Sequence, residues 1–119
     1  MIDKELVKLF NDQINMEWYS AYFYLDICNY YTDANLNGFG NWFNVQTQEE
    51  RDHAMLFMKC LLNNSEKVVL QDVKAPNASF TNFREPAVAA FELEKKVTAS
   101  INNIYAVPIL KKISVRCSS

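Results

Sequence analysis

Glycine and proline are scarce here: 119 residues contain two glycines and three prolines. That excludes collagen-like and low-complexity chains and removes the residues that most often interrupt helices. Long apolar runs are also missing. No window approaches the roughly 20 residues of a membrane helix, and the N-terminal MIDKELVKLF sets acids where a signal peptide keeps its apolar stretch. The sequence therefore predicts a cytoplasmic protein with no membrane partner. Basic patches are absent from the body. The last twelve residues carry Lys111, Lys112 and Arg116 with no acid, while the preceding 107 hold nine basic and fourteen acidic side chains, a balance of −5. A basic cluster confined to so short a tail is no nucleic-acid footprint. Cysteine is limited to Cys28, Cys60 and Cys117, an odd number far apart, which fits reduced thiols better than a disulfide framework or a zinc site. Histidine is the scarcest of all, with His53 alone.

What is present is helical periodicity. From Lys4 to about Asp33 the chain has neither glycine nor proline, and Phe10, Ile14, Glu17, Ala21, Tyr24, Cys28 and Tyr31 recur at spacings of four and three. Asp3 suits the N-cap, and TDANLNG supplies the turn that ends the helix. A second helix, roughly 38–62, repeats the alternation in Phe39, Phe43, Gln46, Glu50, His53, Phe57 and Cys60. The short link implies an antiparallel pair. Residues 63–84 lose the period, and a structureless stretch of that length makes sense as a crossover that travels the length of a bundle. A third helix over about 86–107, with Pro86 at its first position, carries the stripe Ala87, Phe91, Glu94, Thr98, Ile101 and Tyr105. The shared period of 3.5 predicts the shallow crossing angle of a left-handed bundle. At Pro108 the pattern stops, and PILKKISVRCSS over 108–119 is basic and without period.

Each stripe holds one carboxylate at its middle: Glu17, Glu50 and Glu94. Three buried acids without a buried base repel one another and lose hydration, and the remedies are protonation or a bound cation. His53 favours the cation, because it follows Glu50 by three residues and shares its helix face. Oxygen-rich ligation with one imidazole suits iron or manganese better than zinc. Tyr24, two turns after Glu17, is either aromatic core or a hydroxyl that orients a ligand carboxylate. Glu49 points partly outward and reads as a solvated acid. Taken singly each residue has an ordinary explanation, Glu-x-x-His above all; their common register is the signal.

LVKLFNDQINMEWYSAYFYLDI, GFGNWFNVQTQEERDHAMLFM and FELEKKVTASINNIY together resemble the first three helices of the non-haem ferritins of the bacterial type, over residues 1–107. The resemblance implies an all-α fold, a ferritin-like four-helix bundle with a long crossover, of which this sequence holds three helices. It implies a homo-oligomeric cage and a non-haem di-iron centre that oxidises Fe(II) with dioxygen or peroxide. By position, Glu17, Glu50, His53 and Glu94 match the family's iron ligands, with Glu50 bridging, Tyr24 the neighbouring tyrosine, and Glu49 a ligand of a further peripheral iron site. Rubrerythrins and bacterioferritins resemble a pattern with a second Glu-x-x-His, whereas Glu94 is followed here by Lys95, Lys96 and Val97. The tail 108–119 departs from the family's fourth helix and reads like a truncation or a shifted frame. Iron storage with ferroxidase activity is one expectation, and a non-catalytic fragment unable to complete the site or the cage is the alternative.

Overall fold

The computed structural model of the chain describes residues 4–76 and 78–105. Three helices account for its regular structure: α1 (Lys4–Asp33), α2 (Asn37–Asn63) and α3 (Arg84–Tyr105). No strand occurs among the described residues, so the fold is all-α. Asp3 and the tail 108–119 lie outside them.

Both long helices end by the same device. Asn35 takes a left-handed φ of 61°, and the amides of Leu36 and Asn35 donate to Tyr31 O (2.9 Å) and Thr32 O (3.0 Å). Ser65, with φ of 58°, repeats this at the end of α2, where Glu66 N donates to Leu61 O and Ser65 N to Leu62 O. These paired bonds satisfy carbonyls that the last helical turn leaves open. The turn after α1 brings α2 in so closely that a Cβ on Gly40 would collide with Thr32 Oγ1. Any larger residue there would have to turn the Thr32 side chain aside.

α3 begins two residues before the position expected from Pro86. Asn82 Oδ1 accepts from the amides of Arg84 and Glu85, each at 3.0 Å, while the Glu85 carboxylate reaches back to Asn82 Nδ2 and the Thr81 hydroxyl. This reciprocal cap fixes the start upstream. Pro86 then sits third in the helix, where its lack of an N–H is harmless because first-turn amides have no intrahelical acceptor.

α1 is the spine of the bundle. At one end Leu6, Phe10 and Ile14 pack against Cys60 and Leu61 of α2 and Ile104 of α3; at the other, Tyr24, Ile27 and Tyr31 pack against Phe43 and Ala90. These pairings make α2 antiparallel and α3 antiparallel to α1, so α2 and α3 run parallel. The connection between them follows α1 from end to end. Asn11 clamps its start, donating to Lys67 O and accepting from Val69 N (2.8 Å); the Tyr31 hydroxyl donates to Phe83 O (2.6 Å) near its finish. Among the cysteines Cys28 is a free thiol and Cys60 is buried in the core; Cys117 lies outside the described residues.

The α3 stripe expected from the sequence is not the face that packs. Pro86, Ala90, Val97 and Ile104 are buried, whereas Ala87, Phe91 and Thr98 are exposed and Glu94 and Ile101 are half-buried. Phe39 of α2 is likewise exposed, and His53 is on the open side. The reason is geometric: Ala87, Phe91, Glu94, Phe39 and His53 line a groove of about 950 Å³ between α2 and α3, floored by Tyr24 and Phe43. No helix covers it among the described residues.

Candidate metal centre

The floor of the bundle at mid-height is polar. Glu17 of α1 is fully buried and Glu50 of α2 is 4% exposed, both on helix faces that also bury Ile14, Ala21, Phe43 and Ala54. His53 follows Glu50 by one helical turn and turns the same way. Its Nδ1 lies 3.7 Å from Glu17 Oε2 and 3.5 Å from Glu50 Oε2. One donor atom from each of the three residues lies within 4.8 Å of the others, the spacing of ligands around a single cation. Glu17 Oε2 and Glu50 Oε2 are both buried without any hydrogen-bond partner. Buried carboxylate oxygens without partners carry a large desolvation penalty, which a cation between them would offset.

Electrostatics agree with the geometry. Burial, followed by the nearness of the Glu17 and Glu94 carboxyl groups, pushes the Glu50 carboxyl up to about 10. With no cation, this carboxyl holds a proton at neutral pH. Tyr24 is raised too, first by burial and then by its hydrogen bond to Glu94, so its phenol remains a donor. That hydroxyl donates to Glu94 Oε1 across the α1–α3 interface.

Among the residues singled out in the sequence, the structure gathers Glu17, Glu50 and His53 most tightly. Glu94 stands beside them, bound by Tyr24 and close enough to act on Glu50. Glu49 is exposed on the wall of the groove and outside the tight cluster. The sequence reading missed Gln13 and Ser100. Gln13 is 1% exposed and donates from Nε2 to Glu17 Oε1 at 2.9 Å, while its own Oε1 accepts from Ser100 Oγ at 2.5 Å. A signal for Gln13 existed, since it precedes Glu17 by one helical turn on the face that the stripe assigns to the core.

The sequence and the packing of its helices match known proteins. The family model of the ferritin-like domain matches residues 7–108. The chain is similar to the bacterial non-heme ferritin of Campylobacter jejuni, 36% identical over 104 residues that cover 87% of this chain and 62% of that protein. Ferritin-1 heavy chain of Schistosoma mansoni is 37% identical over 100 residues, 82% of this chain and 58% of its own length. The chain thus spans about three-fifths of the length of these relatives. Among solved structures, a humanized archaeal ferritin superposes with a TM-score of 0.90 at 32% identity, covering 99% of this chain and 72% of that one. An open pore ferritin from Archaeoglobus fulgidus gives 0.89 at 31% identity, with coverage of 99% and 73%. With its helices in this order and its acids at the middle of each stripe, the chain belongs to the ferritin family through its ferritin-like domain.

Proposed function

We propose that this chain binds Fe(II) as a substrate at a di-iron centre and oxidises it to Fe(III), with dioxygen or peroxide as oxidant, for storage in a homo-oligomeric cage in the cytoplasm. The observation that carries the reading is the pair of buried, unpartnered oxygens, Glu17 Oε2 and Glu50 Oε2, converging with His53 Nδ1. Glu17 and His53 hold one ion, Glu94 the other, and Glu50 bridges them. Three carboxylates supply the negative charge that favours the ferric product, and the imidazole supplies a neutral donor. Tyr24 orients Glu94 from behind. Glu49, on the groove wall, takes iron at a third, outer position.

A second reading is a ferritin chain that binds iron without completing the oxidation centre. The open groove supports it, because the His53 side chain is 53% exposed where a closed centre excludes water. Anaerobic Fe(II) titration followed by oxygen, with absorbance and size-exclusion profiles from one sample, separates the two. Saturable uptake of about two irons per chain with rapid oxidation in a large assembly supports the ferroxidase. Weak, unsaturable uptake in a small species refutes it and supports the fragment.

A further inference from the structure

We infer that Ser100 and Gln13 form a positioning relay that fixes the Glu17 carboxylate, occupying one of its oxygens so that the other is presented to the metal; this rests on the metal reading of the centre. The relay begins on α3 and ends on α1. Ser100 Oγ donates to Gln13 Oε1, and Gln13 Nε2 donates to Glu17 Oε1, at 2.5 and 2.9 Å.

Its direction follows from chemistry. The amide nitrogen of Gln13 faces Glu17 Oε1, an oxygen that accepts the N–H it offers. The amide oxygen is then turned towards α3, and with Gln13 only 1% exposed that oxygen needs a donor from protein. Ser100 supplies it. The hydroxyl thereby selects the orientation of the amide, and the amide selects which carboxylate oxygen is tied. The remaining one, Glu17 Oε2, has no partner and lies 3.7 Å from His53 Nδ1.

A glutamate pinned before the ion arrives loses less rotamer freedom on binding, so the relay raises affinity without touching the metal. It also ties α3 to α1 one turn below Glu17, as the Tyr24–Glu94 bond does two turns above it. The two ties bracket the centre.

The test is anaerobic titration of the chelator-treated full chain with Co(II), followed by calorimetry and by the visible ligand-field bands of the bound ion. Wild type, Glu17→Ala, Gln13→Leu, Ser100→Ala and Ser100→Thr are compared. The relay predicts saturable binding by wild type, its loss in Glu17→Ala, and affinity about 10-fold or more weaker in Gln13→Leu and Ser100→Ala with shifted bands. Ser100→Thr, which keeps the hydroxyl, restores both. Ser100 is half-buried on α3, so its alanine variant keeps the fold even if Gln13→Leu does not. If Ser100→Ala binds Co(II) with wild-type affinity and spectrum while Glu17→Ala does not bind, the relay is overturned and the metal centre stands. If wild type shows no saturable binding, or Glu17→Ala binds as well as wild type, the metal reading fails and the relay with it.

Discussion

Glu50→Gln tests whether the centre strains the metal-free fold. The substitution keeps the size and shape of the side chain but removes its ability to ionise. In the wild-type protein the Glu50 carboxyl is pushed from 4.5 up to about 10. The folded state therefore holds a proton between those values that the unfolded chain has released. The sign follows: stability is greatest below the unfolded value and is lost as pH rises through this window, because folding must take up a proton that grows scarcer. From pH 5 to pH 8 that loss is about 1.4 kcal/mol per unit, or about 4 kcal/mol in all. Water reaching the residue from the groove screens the effect, and half of that, ~2 kcal/mol, is the expected size. An amide does not titrate. The gap in unfolding free energy between Glu50→Gln and wild type should thus widen by ~2 kcal/mol in favour of the variant between pH 5 and pH 8. Urea unfolding of both chelator-treated proteins, followed by far-ultraviolet circular dichroism, measures it. A gap that stays constant within about 0.5 kcal/mol, or narrows, means that the carboxylates are hydrated and that no energy is stored at the centre.

Two further substitutions probe the scaffold. Asn11→Leu deletes both hydrogen bonds that pin the crossover at Lys67 and Val69 and leaves their backbone groups unpaired. A loss of about 2–3 kcal/mol in urea is expected, with faster hydrogen exchange at the Val69 amide, and unchanged exchange there would show that the clamp does not hold the loop. Ser65→Gly relieves a left-handed backbone at φ of 58° and should raise stability by about 1 kcal/mol, read as a higher urea midpoint; a lower midpoint would refute the strain.

The helical content was legible because the chain contains so little that breaks helices, and because periodicity depends on sequence spacing alone. Glu17, Glu50 and His53 could be picked out on the same ground: one face of α1 and one face of α2 carry them among apolar neighbours. The crossover was legible too, since a long aperiodic stretch between two helices leaves few paths open. The paired left-handed turns at Asn35 and Ser65 were less so, because neither is glycine and only backbone angles reveal the conformation.

α3 marks the limit of that reasoning. Its sequence offers two apolar rows, one through Ala87, Phe91 and Glu94 and one through Pro86, Ala90 and Val97. Spacing cannot rank them, because a helix carries no record of what covers each side. Tertiary packing buries the second row on α1 and leaves the first along the groove, with Glu94 at the edge of the centre. Gln13 and Ser100 lie 87 positions apart, and only the α1–α3 contact makes them partners. The sequence by itself determined the helices, their order and the acids at mid-height. The tertiary structure decided which faces meet, and so which oxygens are tied and which stand free, because hydrogen bonds and burial depend on distance in space.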